Sequence, residues 1–334
     1  MVYTAQSVPV TAMPVIASTS AWAREVPPLG FGCCPMGGHG WGQVDSRKLL
    51  DAVATALEIG VRLFDTSDIY GLGTSETLLG QALRGRRDEA VIATKFGVRR
   101  ESGQTFHDCS VEWIQRAVED SLRRLSTDRI DLYQMHYWDG ITPIAAIVSK
   151  LTELIQQGKI RAFGITNHDP ADVPALPADT KLASYSHQYS LVHREKETSI
   201  IPQQHSSSPP VFLSWGSLGQ GILSGKYASL SQLDEGDRRH RTEYENFHGE
   251  RFAAIQLILP ELRSIASEAG MPGTTALALR WIVDRIPNSI ALVGIKRPEQ
   301  IVDAARMLNF RLTESACARL DHITAGFTAL SPQT

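Results

Sequence analysis

Leu63-Phe64-Asp65-Thr66-Ser67-Asp68-Ile69-Tyr70-Gly71 closes a short apolar run on a carboxylate and, within the same loop, reaches a phenol. Two further runs end the same way. Ala90 to Lys95 closes on an ammonium, and Ile130 to His136 closes on an imidazole. Each run is β-branched or aliphatic, and each is followed by a loop and a helix-like stretch. This pattern predicts strands whose carboxyl ends carry one shared site, the arrangement of a parallel α/β barrel.

Outward from that stretch, the chain alternates strand-like and helix-like segments from Leu29 onward, which predicts a parallel sheet covered by helices. Strand candidates begin near Leu29, Val61, Ala90, Ile130, Ile160, Leu182, Val211 and Ile290, mostly as continuous apolar runs suited to burial on both faces. Asp45 caps a helix carrying Leu49, Val53 and Leu57, and Ser110 opens one carrying Ile114, Val118, Leu122 and Leu125. A further helix from Pro143 to Gln157 ends where Gly158 supplies a left-handed cap. The expected fold is therefore α/β, a (β/α)8 TIM barrel in a single domain over 29–325. A flexible or loosely docked arm (1–28) precedes it, and a short tail (326–334) follows.

Two segments break the rhythm. Ile201 to Pro210 holds three prolines and a serine run, which leaves room only for a short outer helix. Leu223 to Gly249 is long and polar and includes Arg238-Arg239-His240-Arg241. Such a segment is either a loop that closes over a ligand or a solvated insertion.

Composition narrows the function. A chain of 334 residues with net charge -3, 43% hydrophobic and 21% charged residues has an ordinary globular balance, with nothing that favours nucleic acid or an anionic membrane. The cysteines, Cys33, Cys34, Cys109 and Cys317, form no CxxC pair and accompany no histidine at metal-ligand spacing, so neither a disulfide framework nor a metal site is expected. The first residues lack a basic start and a continuous apolar run, which argues against a signal peptide, and a cytoplasmic location is the expectation.

A tyrosine hydroxyl titrates near 10 in isolation, so Tyr70 needs neighbours to act as an acid or base. Lys95 is the candidate neighbour, with Asp65 to hold the ammonium in place, and His136 can donate to a carbonyl oxygen. Taken singly, these residues are equally compatible with a helix cap, a strand-end charge and a satisfied imidazole. Together at three consecutive strand ends they suit protonation of a developing alkoxide, which is half of a carbonyl reduction.

The other half needs a hydride donor that no side chain supplies. Thr166 and Asn167 at one strand end and Gln188 at the next offer groups to pair with a carboxamide, and Trp215 offers a flat face. The run Gly216-Ser217-Leu218-Gly219-Gln220-Gly221, with Lys226 beyond it, allows backbone to approach a pyrophosphate. The last strand ends at Gly294, and Lys296 and Arg297 then precede a helix start at Pro298 with Gln300 in its first turn. Two cations beside free helix N–H groups point to an additional phosphate, as in NADP.

These blocks resemble the aldo-keto reductase superfamily from about Leu29 to Ile323. The resemblance rests on Phe64 to Gly71 with Glu76, Ile92 to Gly97, Asp131 to His136 and Lys159 to Asn167, in the family's order. It implies a barrel that binds NADPH without a Rossmann domain and reduces a small-molecule aldehyde or ketone. It also implies Tyr70 as general acid, Lys95 and Asp65 as its tuning pair, and His136 as the orienter of the carbonyl. By the same resemblance Thr166, Asn167 and Gln188 hold the carboxamide, Trp215 stacks on the nicotinamide where many relatives carry tyrosine, and Gly216 to Lys226 covers the pyrophosphate. Asp303-Ala304 departs from the family's adenine contact, and the usual amino-terminal hairpin is hard to find before Leu29. The resemblance to potassium-channel β subunits leaves a second reading, an NADPH-binding regulatory or sensor subunit. A third is a lyase or isomerase that uses the Lys95 amine. The aromatic set Cys34, Trp41, Tyr70, Phe96, Tyr137, Trp138 and Trp215 is the expected pocket wall.

Overall fold

A computed structural model describes residues 15, 21–23, 25–168, 176–177, 180–205 and 208–330. In chain order the strands are β1 (Leu29–Gly32), β2 (Leu63–Asp65), β3 (Val91–Phe96), β4 (Val98–Glu101), β5 (Gln104–His107), β6 (Leu132–Met135), β7 (Phe163–Thr166), β8 (Ser184–Gln188), β9 (Val211–Trp215) and β10 (Ser289–Gly294). The helices are α1 (Ser46–Glu58), α2 (Thr74–Ala82), α3 (Val111–Leu125), α4 (Ile144–Gln156), α5 (Glu197–Gln204), α6 (Gly249–Glu268), α7 (Thr274–Arg285), α8 (Pro298–Ala305) and α9 (Glu314–Thr324). Strands β1, β2, β3, β6, β7, β8, β9 and β10 pair in parallel and close into a barrel, as the alternating rhythm predicts. The exception is an antiparallel hairpin, β4 with β5, inserted after β3. The sequence reading missed it because Gln104–His107 is exposed throughout and shows no apolar alternation.

Local signals are honoured where they were strongest. The Asp45 carboxylate accepts from the Arg47 and Lys48 backbone N–H groups, and the Ser110 hydroxyl accepts from that of Trp113. Gly158 takes φ 72 after α4. Helix α5 is short, eight residues with Pro202 inside it, as the proline-rich segment required.

Register explains how the strand ends converge. Asp65 pairs with Ala93, so Lys95, two residues further along β3, lies on the same barrel face. Lys95 in turn pairs with Gln134, so His136, two residues beyond Gln134, shares that face again. All three side chains therefore belong to the inward-facing set.

The barrel floor is apolar. Leu63, Ala93, Leu132, Val211, Leu213, Ile290 and Leu292 form a buried cluster that also includes Trp22, Ala23 and Val26. The expected arm falls largely outside the described residues, yet these three of its members are buried in the floor cluster. Among the described residues no helix is long and apolar enough to cross a membrane.

Candidate active site

The carboxyl ends of the strands open on a cleft of about 570 Å³ whose wall includes Asp65, Tyr70, Lys95, His136, Thr166, Asn167, Trp215 and Lys296. Asp65 and Lys95 form its floor. The Lys95 ammonium donates to both Asp65 carboxylate oxygens (2.8 and 2.9 Å) and to the Thr66 carbonyl (2.7 Å), and both side chains are almost fully buried. Burial raises the Asp65 carboxyl above the usual carboxylate range, with the ammonium pulling the other way.

Tyr70 is set by backbone geometry. Gly71, Leu72 and Gly73 all take positive φ (61, 53 and 94). They turn the chain so that Gly71 packs flush against Gly37, where a Cβ would fall 2.2 Å from the Gly37 carbonyl oxygen. The Tyr70 ring then stands with the Lys95 Nζ 5.2 Å from its centroid and the His136 ring edge-on at 6.1 Å.

The expected activation of Tyr70 by Lys95 takes a different form here. The three hydrogen bonds of the ammonium go to Asp65 and Thr66, and the cation lies over the ring rather than on the hydroxyl. Burial pushes the Tyr70 phenol well above 10, helped by Cys34 and Asp65. The group is thus kept as a proton-bearing hydroxyl.

His136 is neutral at physiological pH, because burial, then Lys95 and His107, push it well below its ordinary value. Its Nδ1 faces the Ser67 hydroxyl at 3.4 Å, and its ring stacks on Tyr137, which stacks on His107 of the hairpin at 4.8 Å.

The remaining expected residues divide by position. Asn167, at φ 64, donates to the His136 carbonyl (3.2 Å) and accepts from the Trp215 indole (3.1 Å), joining the two ends of the cleft. Thr166 lines the cleft and accepts from Gln134. Gln188 sits beside Gly216 but outside the cleft wall, where Ser186 stands instead. Gly216, Ser217, Leu218 and Lys226 line the cleft. The single proton of the Ser217 hydroxyl is shared between the Ser214 and Leu292 carbonyls, which leaves its backbone for any ligand. Gly294, Lys296, Arg297 and Gln300 line the far end, and the Gln300 amide oxygen caps α8 by accepting from the Lys296 and Arg297 N–H groups.

Of the two readings of the segment from Leu223, a closing loop is the one its Arg238–Arg239 part fits, through a clasp on Trp41 that the sequence does not specify. Arg238 donates to the His39 carbonyl, and its backbone N–H to Gly40; Arg238 and Arg239 lie over the Trp41 ring at 5.1 and 5.7 Å; Lys296 donates to the Trp41 carbonyl. The middle of the long segment from Leu223 is therefore docked on the loop after β1, while 228–229, 231–232 and 240–243 stay exposed. The arginine run was the available signal, but its partner Trp41 is nearly two hundred residues away in sequence. Of the expected aromatic wall, Phe96 and Trp138 do not line the cleft. Phe96 points outward against Tyr133 at 4.9 Å, and the Trp138 indole is tied to the Thr142 carbonyl.

The chain matches the model of the aldo/keto reductase family over residues 28–325. It is 33% identical over 279 residues to the aldo-keto reductase YhdN of Bacillus subtilis (strain 168), covering 83% of each chain. It is 30% identical over 298 residues to the aldo-keto reductase yakc [NADP(+)] of Schizosaccharomyces pombe, covering 87% of this chain and 86% of that one. Its fold superposes with a TM-score of 0.82 on the glycerol dehydrogenase AKR11B4 of Gluconobacter oxydans, at 30% identity over 96% of both chains. With a closed parallel barrel, an acid, phenol, ammonium and imidazole at its strand ends, and a family match along nearly its whole length, this chain belongs to the aldo/keto reductase family.

Proposed function

We propose that the protein is an NADPH-dependent reductase of a small-molecule aldehyde or ketone, with Tyr70 as the proton donor. The observation that carries the reading is the convergence of Asp65, Tyr70, Lys95 and His136 on one cleft with a basic far end. The cofactor, when bound, supplies the hydride that no side chain can. The residues present fit it: the indole of Trp215 for a flat ring, Thr166, Ser186 and Asn167 for an amide, and the positive-φ backbone at Gly216, Gly219 and Gly221 for a pyrophosphate. Lys296 and Arg297 at the start of α8 suit a further phosphate, and the name of the yeast relative carries NADP(+).

The chain's own residues divide the rest of the work. Tyr70, kept protonated by burial, donates its hydroxyl proton to the oxygen that gains charge. Neutral His136 orients that oxygen by a hydrogen bond, and Lys95, locked to Asp65, places a positive charge beneath the phenol ring as negative charge develops. The docked Arg238 and Arg239 segment covers the cleft between Trp41 and Lys296 and limits water there. Trp41, Tyr137, Trp215 and Tyr244, with Cys34 beside them, give the substrate side an aromatic wall, which supports a flat or apolar carbonyl compound.

The test is a panel of aldehydes, ketones and keto-sugars mixed with the protein and NADPH, followed by loss of reduced-nicotinamide absorbance. Turnover of aromatic or apolar carbonyls is expected. Tight NADPH binding with no turnover of any panel member would refute the reductase and favour the sensor reading.

A further inference from the structure

His136 is buried on all sides but the cleft, and one contact decides what it offers there. Its Nδ1 lies 3.4 Å from the Ser67 hydroxyl, and that hydroxyl also donates to the Asp68 carboxylate at 3.0 Å and accepts from the Ile69 N–H at 3.4 Å. Ser67 is fully buried, so its single proton must be directed either to Asp68 or to His136. We propose that Ser67 and Asp68 are positioning residues that set which nitrogen of His136 carries its proton, and hence whether the imidazole offers a donor or an acceptor to the cleft. This rests on the carbonyl-orienting role of His136 proposed above.

The two states follow from hydrogen-bond accounting. With Asp68 ionised, the Ser67 hydroxyl donates to the carboxylate and its lone pair accepts from the His136 Nδ1–H, so Nε2 presents a lone pair. With Asp68 protonated, its O–H donates to Ser67, the Ser67 proton turns to Nδ1, and Nε2 carries the hydrogen. The interconversion balances. One proton enters at Nε2 from the cleft, the Nδ1 proton passes to Ser67, and the Ser67 proton passes to Asp68. A donor at Nε2 suits a carbonyl oxygen, as reduction requires. An acceptor there suits an alcohol hydroxyl, as oxidation requires.

The surroundings place this switch within reach of neutral pH. Asp68 shares its pocket with Glu76 of α2, Arg124 of α3 and the Tyr133 phenol of β6. Glu76 is fully buried, with one oxygen taken by Thr94 at 2.6 Å and the other by Arg124 at 2.7 Å, so the one guanidinium serves Glu76 first. Burial, then Glu76, push the Asp68 carboxyl up to about 7, against the opposing pull of Ser67 and Arg124. Around His136 stand Lys95 and Asp65 on the cleft floor, Tyr70 and Tyr137, and His107 on the hairpin.

Protein labelled with 15N-histidine, saturated with NADP+, reports the tautomer directly through the ring nitrogen shifts between about pH 5.5 and about pH 8.5, the range a histidine switch spans. The His136 signals are identified by their loss in His136→Gln. The expected result is Nε2–H at the acid end and Nδ1–H at the alkaline end, with the change centred near neutrality. Ser67→Ala should remove the change. Asp68→Asn, whose amide N–H keeps donating to Ser67, should hold Nε2–H throughout. In parallel, kcat/KM for reduction should fall roughly tenfold over the pH unit above neutrality in the unaltered protein and lose that limb in Asp68→Asn, with NADPH affinity the same in all three. One tautomer across the whole range, or an unaltered change in Ser67→Ala, would overturn the proposal, and Ser67→Ala alone decides it if Asp68→Asn does not fold. The spectra need no turnover, so failure of the reductase reading, seen as a silent carbonyl panel, stays separate from failure of the tautomer switch.

Discussion

Replacing Lys95 by methionine removes three hydrogen bonds and leaves the Asp65 carboxylate facing the barrel core. The pair is deeply placed, with side-chain exposures of 4% for Lys95 and 8% for Asp65. Breaking a buried pair from one side costs about 3–5 kcal/mol, because the surviving charge has lost its partner. Protonation of Asp65 limits that cost. Neutralising a carboxyl of ordinary affinity near pH 7.5 takes about 5 kcal/mol, at about 1.4 kcal/mol for each unit above about 3.9, so the loss should lie at or below that ceiling. The sign with pH follows. In Lys95→Met the folded Asp65 binds its proton more tightly than the unfolded chain does, so the stability linked to that proton is present below about pH 3.9 and is lost as pH rises. The deficit should therefore be smallest in acid and grow toward neutrality. Urea denaturation across pH measures it, and a second change, Asp65→Asn, should recover most of the loss. A deficit under about 1 kcal/mol that does not vary with pH would refute the picture of a dry, mutually dependent pair.

Gly71→Ala should disturb the site without touching a reacting group. Its Cβ would fall 2.2 Å from the Gly37 carbonyl oxygen at a φ of 61, so Tyr70 must shift, and kcat should drop at least tenfold while NADPH affinity, measured by quenching of tryptophan fluorescence, changes little. Removing both cations in Lys296→Ala with Arg297→Ala should weaken NADPH binding by about 10-fold to about 100-fold and leave NADH binding nearly unchanged, as titration of each cofactor would record. The His136 imidazole, held well below its unfolded value of about 6.5, contributes stability that is present above about pH 6.5 and lost as pH falls. His136→Gln should flatten that acid-side slope in thermal melts, whereas a slope unchanged by the substitution would show that other groups set it.

The fold was legible because the strands announce themselves as continuous apolar runs, and because Asp45, Ser110 and Gly158 mark helix ends by local chemistry. The acid, phenol, ammonium and imidazole were legible for the same reason, since strand ends are readable and register then brings them together. What escaped depends on distance in sequence or on side-chain choice. The β4–β5 hairpin carries no apolar alternation, and the stacking of its His107 on Tyr137 needs two loops to meet. Phe96 and Tyr137 share the outward parity of their strands, yet Phe96 still lies within β3 and packs outward, whereas Tyr137 lies beyond the end of β6, where the loop turns it into the cleft. The clasp of Arg238 and Arg239 on Trp41 joins segments that no local pattern links. Nor does spacing reveal that Lys95 is wholly occupied by Asp65 and Thr66, because hydrogen-bond allegiance among buried groups is settled only by geometry.

The most direct measurement is turnover of Tyr70→Phe beside its NADPH dissociation constant, with a carbonyl that the unaltered protein reduces. Loss of the hydroxyl alone should lower kcat by at least about a thousandfold, as expected for removal of the proton donor, and leave cofactor affinity within about twofold. Turnover in Tyr70→Phe equal to that of the unaltered protein would contradict the assignment of Tyr70 as the acid, and with it the account of why the barrel gathers these four side chains.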